Sequence, residues 1–366
     1  MTTTPPTPSP DVTTPSAMET TLRRQPDDLR RLLREGWDQA GAAAAMLAPA
    51  RRVFLVGIGT SYHAALVGSW LFRAAGFDAR ALLSSDLARY PGQWGIGPGD
   101  AVVVMAHTGV KTDSGTALRL AAEAGATVLS AGSLTADHPG SGLVLRTVPR
   151  ETSAAYTASH LAAMVVLAQV ATVAGEARDT AGTAPFRDAL GELPDQVAGV
   201  IDRAGEIEPI AALANGRRVY ATGAGPNEAT ALELTIKARE AAYGWVDAMA
   251  LEQFLHGPAV AVNRDDLAIA VHVPGAAAGR TSAVAGVLAA MGARLWIVGE
   301  ATPDAPGAET FGLPGLAGMP EVLTPLLAVV PMQILALRMA TQRGTNPDTF
   351  RRDDPAYAAA FGRVTL

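Results

Sequence analysis

Short apolar runs alternate with glycine-rich turns and longer stretches of helical period along nearly the whole chain. Residues 52–57 read R-V-F-L-V-G, a buried strand entering the turn Gly57-Ile58-Gly59-Thr60-Ser61, with a helix predicted over 62–75. Further strands are predicted at 79–84, 101–105, 126–131 and 143–147, separated by helices. Five strands alternating with helices mark a parallel sheet covered on both faces. Upstream, 18–36 form a basic amphipathic helix whose buried stripe is Leu22, Leu29, Leu32 and Leu33. A helix over 156–174 and a Gly/Asp/Thr-rich connector at 175–184 end the first half.

The second half repeats the pattern. A helix at 185–204 precedes a strand at 217–222, the turn Gly223-Ala224-Gly225 and a helix over 226–243 that Gly244 stops. Strands at 267–273, 294–298 and 321–323 follow, with a closing helix over 326–343. Such repetition predicts a duplicated α/β protein, and ligands in such sheets sit beyond the carboxyl ends of the strands. The expected division is a disordered leader (1–17), a first domain (18–180), a linker helix (181–205), a second domain (206–350) and a tail (351–366).

Polar residues inside the 226–243 helix break its apolar character in an ordered way. Glu233, Lys237 and Glu240 stand at i, i+4 and i+7, on one face among Ala, Leu and Ile. On a solvated helix such a pair is worth a few tenths of a kcal/mol. The chain, however, has 29 lysines and arginines, of which only Lys111 and Lys237 are lysine. Surface charge is supplied by arginine, so a lysine in an apolar helix is out of pattern, and its compact ammonium differs chemically from a guanidinium. Sixteen residues past Glu240, His256 stands before a Gly-Pro turn. A base, a cation and an imidazole together suit proton transfer.

Composition narrows the partners. The 366 residues favour two domains, and 49% hydrophobic content is ample for sizeable cores. A net charge of −6 with no basic run argues against nucleic acid, as do aromatics at 5%. The absence of cysteine excludes disulfides, thiolate metal sites and a cysteine nucleophile, and suits a cytoplasmic location. No membrane span is expected: the apolar run 161–174 is short, and 322–337 is interrupted by Pro325 and Pro331. The Pro/Thr/Ser-rich start is no secretory signal.

Two turns are candidate anion sites. Gly59, Thr60 and Ser61 place hydroxyls at a helix N-terminus, where backbone N–H groups and the helix dipole favour a phosphate. Position 62 is tyrosine, so the third glycine of a dinucleotide fingerprint is missing. The second turn, Ala106 to Thr112, offers His107, Thr108, Lys111 and Thr112. Taken singly each turn could be helix capping; two on consecutive sheet edges predict a phosphate pocket. His63 and His107 are ordinarily structural hydrogen bonders. His138, His160 and His272 lack metal-ligand spacing, and neither metal nor organic cofactor is expected.

Several stretches resemble one family: V-G-I-G-T-S-Y-H-A, T-V-P-R-E-T-S-A-A-Y-T-A-S (147–159), A-L-E-L-T-I-K-A-R-E and F-L-H-G-P. They are similar to the sugar isomerase (SIS) family, nearest the isomerase part of glucosamine-6-phosphate synthase and amino-sugar-phosphate deaminases. The leader motif Met18-Glu19 through Gln25-Pro26 and the R-G-T-N-P-D ending at Asp348 also match. The resemblance implies two SIS domains, each a doubly wound αβα sandwich around a five-stranded parallel sheet, and a homodimer. It implies a phosphorylated sugar or amino sugar as ligand, with Ala154 and Glu233 lining its site. Glu240 falls on the family's C1/C2 proton-transfer base, Lys237 on an active-site lysine, and His256 on a ring-opening histidine delivered from the partner subunit. With neither the length nor a cysteine nucleophile, no glutaminase domain is expected.

Some positions depart from the family pattern. The hydroxyl-rich phosphate turn has Ala106 and Lys111 where hydroxyls are usual, Gln253 replaces an acidic residue, and Arg363 stands where a tail lysine is usual. Arginine cannot form an imine, so a tail Schiff base is unavailable. The leading expectation is an aldose–ketose isomerase or amino-sugar-phosphate deaminase working through Glu240. Two other readings stay open: an enzyme of the same fold for another C–N or C–O bond, such as a deglycase or a specialised biosynthetic step, and a non-catalytic sugar-phosphate sensor.

Overall fold

The computed structural model describes residues 14–364. Most of the expected disordered leader, and Thr365 in the tail, lie outside the described residues. Helix α1 (Ala17–Glu35) begins where Ser16 Oγ accepts from the Glu19 N–H at 3.1 Å. The Asp348 carboxylate takes two further free N–H groups, from Ala17 at 2.7 Å and Met18 at 3.0 Å. Leu22, Leu29 and Leu32 are buried as expected, and Leu33 is half-buried. A second helix, α2 (Trp37–Leu47), which sequence reasoning did not anticipate, covers the first sheet with its alanines.

The first sheet holds β1 (Arg52–Gly57), β2 (Asp78–Leu83), β3 (Asp100–Met105), β4 (Thr127–Gly132) and β5 (Leu143–Arg146), all parallel, in the order β2-β1-β3-β4-β5. Between them run α3 (Thr60–Ala74), α4 (Ser84–Arg89) and α5 (Thr112–Glu123); α6 (Ala158–Ala177), α7 (Phe186–Asp202) and α8 (Glu208–Gly216) lead to the second half. The second sheet comprises β6 (Val219–Gly223), β7 (Asp247–Ala250), β8 (Leu267–His272), β9 (Arg294–Gly299) and β10 (Glu309–Phe311). Its order, β7-β6-β8-β9-β10, repeats that of the first sheet. Helices α9 (Glu228–Ala242), α10 (Leu251–Leu255), α11 (Ala278–Ala290), α12 (Thr324–Arg343) and α13 (Pro355–Phe361) complete the chain.

Four sequence expectations are corrected. The segment Glu321–Leu323 is a 3-10 turn, because Pro320 and Pro325 flank it closely, and the fifth strand of its sheet is instead β10. Strand β7 was not anticipated. The α9 helix is stopped by Tyr243, which takes the left-handed conformation at φ 50°, not by Gly244. Gly244 serves close packing: a Cβ there would sit 2.9 Å from Met339 Cε. Finally, α6 runs for 20 residues and is apolar enough to span a membrane by length and composition, as is 321–343. Both are core helices, with 89% of each apolar window buried.

One continuous apolar core runs through the inner faces of both sheets and α1, α3, α6, α7, α9 and α12. Separate clusters lie on the outer faces, under α4 and α5 in one case and α10 and α11 in the other. The carboxyl ends of β1 and β3 therefore open toward helix α9 of the second half.

Candidate active site

The β1–α3 turn is built on two glycines. A Cβ on Gly57 would stand 2.3 Å from the Ser61 carbonyl oxygen, and Gly59 has φ 58°. Thr60 and Ser61 thereby open α3. In the β3–α5 turn Gly109, at φ 100°, passes 3.0 Å (measured to an added Cβ) from the Asp137 carbonyl. The Lys111 N–H donates to Ser114 Oγ at 2.8 Å, and Thr112 begins α5. A cavity of 620 Å³ lies between these turns; its walls include Gly59, Thr60, Ser61, His107, Thr108, Lys111, Thr112 and Ala154. Lys237 and Glu240 form its far wall.

Helix α9 supplies a buried chain of charges. Glu233, with no exposure, accepts from Thr60 Oγ1 at 3.1 Å and from His63 Nδ1 at 2.6 Å. Lys237, 1% exposed, places Nζ 3.6 Å from Glu233 Oε1 and 2.5 Å from Glu240 Oε2. Burial alone would raise the Glu233 carboxyl, but His160, Lys237 and His63 bring it down to about 2. Burial likewise opposes charge on Lys237, yet Glu240 and Glu233 hold its ammonium above the ordinary lysine value. Glu240, whose side chain is 24% exposed, is pushed up by burial despite the adjacent ammonium. A carboxylate that faces a cavity with raised basicity is suited to proton abstraction.

The histidines divide by environment. His107 Nε2 accepts from the Glu151 N–H at 3.1 Å, which leaves the neutral ring's proton on Nδ1. Burial, then Arg150, pushes its pKa down to about 4. His160, also on the cavity wall, is lowered to about 4 by burial. His256 lies elsewhere: its side chain is 74% exposed, with Nε2 3.2 Å from Glu252 Oε2, and it does not line the cavity within one chain. The structure thus gathers the turn residues, Glu233, Lys237 and Glu240, and leaves His256 on the surface.

Sequence reasoning missed other wall residues, among them Arg89, Tyr156, His160, Phe350 and Val364. Tyr156 was within a quoted motif, and its ring packs edge-on against His107 at 5.3 Å. Phe350 and Val364 carried no signal, since the tail reaches the site only through the fold. Among the described residues no cluster of three metal-ligating side chains occurs.

Comparison with known proteins matches residues 46–173 to the family model described as "SIS domain". This segment is a SIS domain. The chain is 28% identical over 325 residues to a glutamine–fructose-6-phosphate aminotransferase (isomerizing) of Gloeobacter violaceus, covering 84% of this chain and 52% of that protein. A protein of the same name from Methanothermobacter thermautotrophicus is 26% identical, covering 89% and 55%. The chain therefore spans about half the length of the curated relatives it matches. Among solved structures, the C-terminal domain of a Francisella tularensis glucosamine–fructose-6-phosphate aminotransferase superposes with a TM-score of 0.83 at 17% identity, covering 92% of this chain and 98% of that one. A Thermotoga maritima glucosamine-6-phosphate deaminase gives 0.70 at 20%, covering 91% and 97%. At these identities the structural likeness speaks for the fold, and the SIS domain holds both hydroxyl-rich turns while α9 lies outside the matched segment.

Proposed function

We propose that this chain is an aldose–ketose isomerase or amino-sugar-phosphate deaminase/isomerase, with residues 206–350 acting as a second SIS domain. The observation that carries this reading is the cavity that joins two hydroxyl-bearing helix N-termini to a Lys–Glu pair. Thr60, Ser61, Thr108 and Thr112 hold the phosphate with backbone N–H groups, and Lys111 adds a positive charge at the rim. The sugar then extends toward α9. Glu240 removes the proton from C2 of the open-chain aldose (or C1 of the ketose); the electron pair moves onto the carbonyl oxygen as the enediol or enolamine forms. Glu240 returns the proton to the neighbouring carbon. Lys237 stabilises the developing oxyanion, and Glu233 holds Lys237 and Thr60 in register. His256 of a second copy acts as acid and base in ring opening; its exposure in the single chain is compatible with that delivery. No cofactor is required, because the substrate carbonyl takes up the electrons.

The test is solvent exchange. Fructose 6-phosphate and glucosamine 6-phosphate, incubated with the protein in D₂O, are expected to acquire deuterium at C1 or C2. Glu240→Gln should retain binding while exchange falls by about 10²–10⁴-fold. Thermal stabilisation by either ester without exchange in the unaltered protein would favour a sensor instead.

A further inference from the structure

A second chamber of 680 Å³ adjoins the main cavity, and the two share Lys111, Ala154, Tyr156 and Phe350 as a common partition. Lys111, Arg150 and Arg352 line it, all exposed, and among the described residues none of the three forms an ion pair with a carboxylate. That sets them apart from Arg89, which also faces the main cavity but is paired with Asp113 at 2.8 Å. Two carboxylates do lie in the chamber wall, and both are committed elsewhere. Glu151 accepts from the N–H groups of Thr157 at 3.0 Å and Ser159 at 2.6 Å. Asp348 caps α1. The chamber therefore presents three cations, none of them in an ion pair, against two carboxylates already engaged by backbone N–H groups, a net positive wall. Phe350 and Arg351, consecutive residues at φ 51° and 58°, bend the tail so that Phe350 stands in the partition and Arg352 in the second chamber.

Resting on the reading of the main cavity as a sugar-phosphate site, we infer that the second chamber is a subsite for a further anionic group carried by the same ligand. The substrate class is then a sugar phosphate bearing a second phosphate, or a carboxylate on its anomeric or amino substituent. Lys111, at the partition, touches both chambers and reads both charges. A plain hexose monophosphate would leave Arg150 and Arg352 with no ligand anion to meet.

Isothermal calorimetry on the full chain tests this with fructose 6-phosphate, fructose 1,6-bisphosphate, N-carboxymethylglucosamine 6-phosphate and inorganic phosphate. At least one two-anion ester should bind ten-fold or more tightly than fructose 6-phosphate. In Arg150→Gln/Arg352→Gln that ratio should fall toward one. If fructose 6-phosphate binds and neither two-anion ester binds better, the inference fails and the main site stands. Inorganic phosphate binding beside fructose 6-phosphate, without any preference for two-anion esters, would also overturn it in favour of a free anion. If no ester binds, both readings fall. Circular dichroism of the double variant verifies that it is folded.

Discussion

The two sheets reach their switch points with the same backbone device and then part company. Gly57 and Gly59 follow β1 as Gly223 and Gly225 follow β6. An added Cβ at the first glycine of each pair would meet the carbonyl oxygen four residues on, 2.3 Å at Ser61 and 2.2 Å at Asn227. Gly59 and Gly225 both have positive φ, 58° and 54°, and so do Gly109 and Gly275 after the third strands. In the first half the space between those turns is the open cavity. In the second half the Glu321 carboxylate fills it, accepting from the Ala276 N–H at 2.9 Å so closely that a Cβ on Gly275 would lie 2.2 Å from its Cδ. One of the two repeated units thus leaves the space between its turns open, while the other fills it with its own carboxylate. What the second unit gives instead is helix α9, whose Glu233, Lys237 and Glu240 face across to the first unit's turn.

Four experiments would break or sharpen that contrast. Among single substitutions the largest effect is expected from Lys237→Met, which strips the ammonium from between two buried carboxylates and should cost about 3–5 kcal/mol in urea unfolding. Converting Glu233 to Gln in the same chain should recover part of that loss. Acid should next lower the stability of the whole molecule, chiefly through buried histidines of the first half. His107 and His160 titrate at about 4 in the folded chain against an ordinary 6.5, so the unfolded chain takes up protons first. Their contribution is full above pH 6.5 and declines as pH falls toward 4, by roughly 3 kcal/mol per ring. Glu233, lowered from 4.5 to about 2, extends the loss through that lower window. Histidine NMR signals followed against unfolding at each pH would check this, and a stability flat from pH 7 to 4 would contradict it.

A smaller effect is expected from Glu321→Ala, which empties the second cradle. Stability should drop by about 1 kcal/mol, and calorimetry should register one additional equivalent of inorganic phosphate. No additional equivalent would mean that the second turn is shaped for a carboxylate alone. Least of all should His256→Asn disturb the fold: at 74% exposure the change should stay within about 0.5 kcal/mol. Exchange should nevertheless be lost, and mixing this variant with Glu240→Gln should restore part of it if sites are shared between copies.

Much of the first half was readable from the chain, because a strand such as R-V-F-L-V-G, bounded by charge and glycine, has one reading. The α9 constellation was readable for a similar reason: three residues on one helix face need no tertiary knowledge. Edge strands were harder. Asp247–Ala250 is only half-buried along its length and lacks β-branched residues, and Glu309 and Thr310 of β10 are exposed. The Glu321 segment looked like a strand from its apolar flank, and its function as a plug depends on a contact 46 residues away in sequence, with Gly275. The cavity walls at Phe350 and Val364, and the second chamber behind them, depend on where the tail comes to rest. No local pattern encodes that.

The common interior has a consequence for how the molecule can come apart. Apolar side chains from Met18 to Ala340 belong to a single packed cluster, and α1, capped by Asp348, closes the circuit between the two chain ends. Severing the polypeptide between α6 and α7 would therefore yield two sticky fragments in place of two working modules. Heat or urea should melt the intact protein in one concerted step, with far-ultraviolet and tryptophan signals vanishing together.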